Sequence, residues 1–214
     1  MRLLLVRHGQ SLANVERRIQ DDDDPLTEFG RAQARAVGRH LAERGDVTHL
    51  YASPLARAYE TASLVGTAIG LQPVAMPGLA EVNAGTAAGT LWEDWRVQHP
   101  EEAAKIESGS GRMEDRWLGG ESGQEFADRV LAAYDELVTQ HLGTDDVVTA
   151  VSHGGPLAWI SARVHGDPED VWPMERAIFQ NCSVSELEVS PDGHGDPVGW
   201  NLVDHLADVS PGAV

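Results

Sequence analysis

The 214-residue chain reads as an α/β protein, a three-layer α/β/α sandwich whose central sheet is mostly parallel and carries a cap insertion. Three observations predict this. Short apolar runs alternate with longer stretches at helical spacing, and strands connected through helices pair in parallel beneath helices on both faces. Two of the runs, Leu3-Leu4-Leu5-Val6 and Val147-Val148-Thr149-Ala150-Val151, are nearly continuous, as expected of strands covered on both sides. Between them, residues 83–120 follow neither period, and they read as a cap over one edge of the sheet within a single domain of residues 1–214.

The elements follow in order. The first apolar run ends at Arg7-His8-Gly9, a buried strand leading into a turn. Thr27 is a plausible N-cap for a helix running to about Arg44, with Ala34, Val37 and Leu41 as its apolar stripe and Gly45 as its stop. A second strand, 47–52, enters Ser53-Pro54, where serine as cap and proline at the first helical position signal a helix start. Leu55, Ala58, Ala62, Val65 and Ile69 then recur at helical spacing up to Gly70. A short extended stretch, 72–76, precedes Glu81. Ser122-Gly123-Gln124-Glu125 forms a capping box ahead of Phe126, Val130, Tyr134, Leu137 and Val138. The strand at 147–151 leads into Ser152-His153-Gly154-Gly155-Pro156. Strands at 182–189 and 198–203, joined by the turn Pro191-Asp192-Gly193, end the pattern.

Composition narrows the function. With 16 basic and 34 acidic residues the formal charge is −18, a surface that repels nucleic acid and anionic membranes. Lysine occurs only at Lys105, so the cations are almost all arginine, which grips phosphate with a planar fork. The single cysteine, Cys182, has no internal disulfide partner, and residues 1–6 are too short an apolar run for a signal peptide. No window approaches a membrane span. A cytoplasmic protein is therefore expected.

In open parallel sheets, ligands bind outside the carboxyl ends of the strands. That rule selects Arg7 and His8 after the first strand, Arg57 one turn into the following helix, Glu81 after the third extended stretch and His153 after the strand at 147–151. Taken singly, each has an ordinary structural role open to it: a surface ion pair, a hydrogen-bonded turn histidine, a solvated acid. Together they put two arginines, two histidines and a carboxylate on one rim, near helix N-termini that favour anions. The Gly-Gly after His153 suggests close approach of backbone to a ligand. Such a rim suits phosphate.

Those residues also resemble a known pattern. Leu5-Val6-Arg7-His8-Gly9-Gln10-Ser11 with Asn14, Asp24-Pro25-Leu26-Thr27 with Gly30 and Gln33-Ala34, Ser53-Pro54-Leu55 with Arg57 and Thr61-Ala62, Glu81 with Gly85 and Gly89, Gly120-Glu121-Ser122 with Arg129, and Val151-Ser152-His153-Gly154 resemble the ordered blocks of the histidine phosphatase superfamily, phosphoglycerate-mutase-like branch. Asn181-Cys182-Ser183-Val184 resembles that branch's late strand. The likeness runs from about residue 3 to 189. Departures are Gln10 for glutamate, Asp21 for glycine, and Ala87-Ala88 where relatives often carry a tryptophan and an acid. Ser11 stands where the phytase-type branch has a further arginine, which excludes that branch.

The resemblance implies hydrolysis of phosphate monoesters. His8 would attack phosphorus as neutral imidazole to form a phosphohistidine, and Arg7, Arg57 and His153 would hold the phosphoryl oxygens. Glu81 would protonate the leaving oxygen and later take a proton from the attacking water. Ser11, Asn14, Gln20 and Gly154 match pocket positions. No metal or other cofactor is implied, the partner is a small phosphorylated substrate, and a homodimer is in keeping with the family. A cofactor-dependent phosphoglycerate mutase is the alternative. Against it, Arg96, Lys105, Arg112 and Arg116 include no adjacent arginine pair, and Gly155 replaces the asparagine usual in mutases. A non-catalytic phospho-ligand binding protein is disfavoured because every catalytic position is filled.

Overall fold

The computed structural model describes residues 1–214 except 109–110, 174–175, 177 and 211–214. β1 (Arg2–Arg7) lies inside the sheet, parallel to β4 (Val147–Ser152) on one side and antiparallel to β5 (Val184–Val189) on the other. β2 (His49–Ala52) pairs in parallel with β4 and with the two-residue β3 (Val74–Ala75), while β6 (Gly195–Leu202) pairs antiparallel with β5. The order is β3-β2-β4-β1-β5-β6.

Two layers of helix cover this sheet because strand side chains alternate in direction. Leu4 and Val6 face the side where α2 (Glu28–Arg44) contributes Ala34, Val37 and Leu41 and α3 (Ala56–Ile69) contributes Ala58, Ala62 and Val65. Leu3 and Leu5 face α6 (Gly123–His141), with Phe126, Val130 and Leu137, and α7 (Gly154–His165), with Leu157 and Ile160. Residues 3–6 have no exposed surface at all, and each such side chain contributes roughly 2 kcal/mol of burial. The three-layer α/β/α expectation holds.

Local signals behave unevenly. The Thr27 side chain accepts from Gly30 N, Gly45 closes α2 at φ +69°, and Ser122 and Glu125 form the reciprocal box at the start of α6. Ser53-Pro54, however, does not open a helix: α3 starts at Ala56 with Leu55 as its cap, and Ser53 Oγ is drawn elsewhere. The stretch at 72–76 shrinks to two paired residues, and the late strands begin at Val184 and Gly195 instead of 182 and 198. Cys182 is excluded from β5 because its backbone sits at φ +58°. The acidic run 21–24 is not uniformly solvated either, since Asp24 is buried against Arg18 at 2.7 Å.

Residues 83–120 contain α4 (Trp92–Gln98) and α5 (Pro100–Ser108), packed around Trp95, Ala84, Ala87 and Ala103 with Trp92 and Trp117 beside them. Expected over a sheet edge, this segment instead bonds to the loop that follows α1 (Leu12–Glu16), through Ile19 N to Thr90 O and Trp92 N to Arg17 O. That loop descends from β1, which is interior, so the segment stands by the carboxyl ends of the strands.

Candidate active site

Three strand ends deliver the chemistry. β1 ends at Arg7 and is followed by His8; β4 ends at Ser152 and is followed by His153, the N-cap of α7; β2 runs through Ser53 into α3, whose second residue is Arg57. Because these strands are parallel neighbours, residues far apart in sequence meet at one rim. The His8 and His153 rings lie 5.0 Å apart between centroids, and neither has exposed surface; Arg57 is 1% exposed.

His8 Nδ1 lies 2.7 Å from the carbonyl of its neighbour Gly9. A carbonyl only accepts, so Nδ1 carries the ring proton and Nε2 presents a lone pair. Burial, then Arg7, then Arg57 push the His8 pKa well below the usual imidazole range, which keeps that lone pair available. The His153 pKa falls for the same main reason, burial, followed by Arg57 and His8. Burial also lowers the pKa of Arg7 and of Arg57, partly offset in both by Glu81.

Buried polar atoms ordinarily find partners. Here His8 Nε2, His153 Nδ1, Arg7 Nε and Arg57 Nε are buried without one. One outer nitrogen of each guanidinium is anchored: Arg7 Nη1 donates to the Phe179 carbonyl and Arg57 Nη1 to the Asp21 carbonyl at 2.7 Å. Two cations and two imidazoles thus converge with donors and a lone pair left over, an arrangement suited to a compact anion.

Glu81 comes from the loop after β3. Its Oε1 accepts from Val82 N at 3.0 Å and its Oε2 from Gly155 N at 3.1 Å. Gly155 is glycine because a Cβ there would stand 2.2 Å from Glu81 Oε1 and 2.9 Å from the Phe126 ring. The close approach expected of Gly154-Gly155 is thus made to the protein's own carboxylate. Arg129 holds the same loop through the carbonyls of Gly78, Ala80 and Glu81 at 3.0, 3.0 and 3.2 Å, while paired with Glu121 at 2.8 Å.

Ser11, Asn14 and Gln20 form a network of their own. Ser11 and Asn14 cap α1 reciprocally, and Gln20 Nε2 donates to Ser11 Oγ at 3.0 Å. Asn181 Nδ2 joins it, donating to Asn14 Oδ1 at 3.2 Å and to the His8 carbonyl at 3.0 Å. These side chains brace the His8 loop. Gly154 opens α7 beside His153.

Ser53, Arg129 and Asn181 stand within the family-like blocks of the sequence, but no role at the site is legible for them there. Ser53 Oγ accepts from Leu55 N at 3.2 Å and lies 2.7 Å from His153 Nε2. The hydroxyl keeps its hydrogen and a second lone pair; when it donates to Nε2, the His153 hydrogen sits on the unpartnered Nδ1. Apart from that likeness, the signal at Ser53 was the Ser-Pro pair, which equally marks a helix start.

Beside Glu81 and Gly155 opens a cavity of about 510 Å³, walled by Trp95, Trp117, Trp159, Trp172 and Phe126. His8, His153 and Arg57 do not line it; they are fully buried. Among the described residues, the one histidine and carboxylate group at metal-binding distance is His49, His141 and Asp146, at the opposite end of the sheet. No helix among them is long and apolar enough to cross a membrane.

The family model described as histidine phosphatase superfamily (branch 1) matches residues 3–202. The chain belongs to the histidine phosphatase superfamily. Within it, a protein named "Probable phosphoglycerate mutase GpmB" from Salmonella paratyphi A is 33% identical over 98% of this chain and 94% of its own. Among solved structures of similar fold, YhfR of Bacillus stearothermophilus superposes with a TM-score of 0.85 at 28% identity, covering 96% of this chain and 98% of that one. A mycobacterial glucosyl-3-phosphoglycerate phosphatase superposes at 0.79 with 29% identity, over 94% and 99% respectively. These relatives span phosphatase and mutase names on one phosphoglycerate-mutase-like fold.

Proposed function

We propose that this member of the superfamily is a metal-independent phosphatase that hydrolyses phosphate monoesters through a phosphohistidine at His8. The observation that carries the reading is the His8 ring: Nδ1 engaged by the Gly9 carbonyl, Nε2 buried and unpartnered among the groups of Arg7, Arg57 and His153. His8 Nε2 attacks phosphorus as the ester P–O bond breaks, and Glu81 gives its proton to the leaving oxygen. Water then attacks the phosphohistidine, Glu81 takes the water's proton, and inorganic phosphate leaves with neutral His8 restored. Arg7, Arg57 and the His153 Nδ1–H neutralise charge on the three non-bridging oxygens.

The aromatic cavity next to Glu81 sits where a leaving group must emerge, so the reading extends to esters whose alcohol has an apolar face. The mutase alternative needs free cations above the site. Of the four cations of the segment, Lys105 is paired with Asp115, Arg116 with Glu125 and Arg96 with Glu93, whereas Arg112 lines the cavity outside those pairs; one such cation, with no adjacent arginine, favours hydrolysis. The test is phosphate release from p-nitrophenyl phosphate and from 3-phosphoglycerate, with His8→Ala as control. Release from both that disappears in the variant supports the reading; formation of 2-phosphoglycerate without phosphate loss replaces it with the mutase.

A further inference from the structure

The amino-terminal ends of β2 and β4 carry a second convergence of side chains, far from His8. His49 opens β2, Asp146 immediately precedes β4, and His141 ends α6. Parallel neighbours begin at the same end of a sheet, so the three meet there. His141 Nδ1 lies 2.8 Å from Asp146 Oδ2, His49 Nδ1 lies 3.8 Å from Asp146 Oδ1, and the two imidazole centroids are 4.4 Å apart. One ligand atom from each residue falls within 4.8 Å of the other two.

A histidine hydrogen-bonded to an aspartate, with a second histidine nearby, is the ordinary account of this group. Three features exceed it. The first is the donor set: two imidazole nitrogens and one carboxylate oxygen, from three separate elements, suit Zn²⁺ with a fourth position left to water. In a tetrahedron with bonds of ~2.0–2.1 Å the donors stand about 3.3 Å apart, so closure asks for a shift on the order of an ångström. That shift falls on His49, the most exposed of the three at 43% of its side chain.

The second feature is Tyr51. Its hydroxyl lies 3.1 Å from His141 Nε2, the nitrogen that does not face Asp146. A ligating histidine needs its other N–H held by an acceptor, which fixes the ring's orientation and tautomer. With the ion on Nδ1, the ring's single proton resides on Nε2 and the Tyr51 oxygen accepts it. The third is graded access: His141 is 3% exposed, Asp146 25% and His49 43%, so a hydrated ion has an entry path ending at a rigid ligand.

We propose that His49, His141 and Asp146 form a zinc-binding site, completed by water, that ties the end of α6 to the starts of β2 and β4. The six residues of β4 separate Asp146 from His153, a span of roughly 20 Å, so this ion takes no part in phosphoryl transfer. Zinc titration of the chelator-treated full chain by isothermal calorimetry tests it. One equivalent is expected to bind with Kd of about 10 µM or tighter. Affinity should fall at least ~10-fold in His49→Ala and in Asp146→Asn, and stay unchanged in His8→Ala. Zinc should also raise the thermal midpoint of the parent and not of His49→Ala, a surface variant that keeps the core intact. Absence of saturable binding, binding that persists in His49→Ala and Asp146→Asn, or binding lost in His8→Ala would each overturn the site and leave a hydrogen-bonded His–Asp pair.

Discussion

The two ends of one sheet hold histidines under opposite conditions. At the carboxyl end, His8 and His153 are sealed from solvent, their pKa values pressed down by burial and by arginines, and each keeps a ring nitrogen without a partner. At the amino end, His141 is nearly as buried, yet both its nitrogens are engaged, by Asp146 and by Tyr51. The Asp146 carboxyl is held below its usual range, chiefly by its bond to His141. Burial alone therefore does not mark the reaction centre. What marks it is a concentration of unspent buried hydrogen-bonding capacity: Arg7, His8, Arg57 and His153 hold four of the seven such side-chain atoms among the described residues.

The comparison breaks most visibly at the nucleophile. His8→Ala should lower turnover of p-nitrophenyl phosphate by about 10³-fold or more, whereas His49→Ala should change it less than about twofold. A comparable loss in both would erase the distinction between the ends. Next in size is the acid. Glu81→Gln should slow phosphate release from an alkyl ester by roughly 10²-fold and from a nitrophenyl ester far less, because only the poor leaving group needs a proton. Equal slowing removes Glu81 from that role.

Ser53 offers a finer cut. Ser53→Ala removes the hydroxyl held against His153 Nε2 and should lower kcat about tenfold with little change in KM, and Ser53→Thr should restore it. If the threonine variant fails to recover activity, the hydroxyl is not positioning His153. The smallest effect concerns stability. Histidines in the unfolded chain take up protons below about pH 6.5, whereas His8 and His153 resist protonation when folded. The unfolded state then binds more protons, so stability falls as pH drops below about 6.5, by about 1.4 kcal/mol per unit for each histidine. Urea unfolding at pH 7.0, 6.0 and 5.5 should show that slope, and His8→Asn should remove one share of it.

Much of the fold was legible because its signals are local. Residues 3–6 and 147–151 are apolar on both faces, and the caps at Thr27, Gly45 and Ser122 act within a few residues of themselves. The start of α7 carried no such signal: Gly154-Gly155-Pro156 has no side-chain cap, and it is helical because proline is tolerated in a first turn while Gly155 makes room for Glu81. Ser53-Pro54 misled in the other direction, since the hydroxyl that resembled a cap is shared between Leu55 N and His153 while the helix starts at Ala56. Asp24 carries no local sign of burial, because its partner Arg18, six residues earlier, meets it only through the fold.

For the candidate site, the chain order of Arg7, His8, Arg57, Glu81 and His153 together with the strand-end rule sufficed to choose the residues, because the direction of a parallel strand fixes which end each side chain leaves from. Which ring nitrogen of His8 is free, which atoms stay unpartnered, and how Arg129 and Gly155 hold Glu81 depended on packing between segments tens of residues apart. The zinc-binding group at the other end is the extreme case. Nothing near His49 in sequence announces His141 or Asp146, and only the register of β2 against β4 brings them within reach. Sequence determined which chemical groups are carried and by which strand; tertiary structure decided which of their hydrogen bonds were left unmade, since that is a property of neighbours and not of residues.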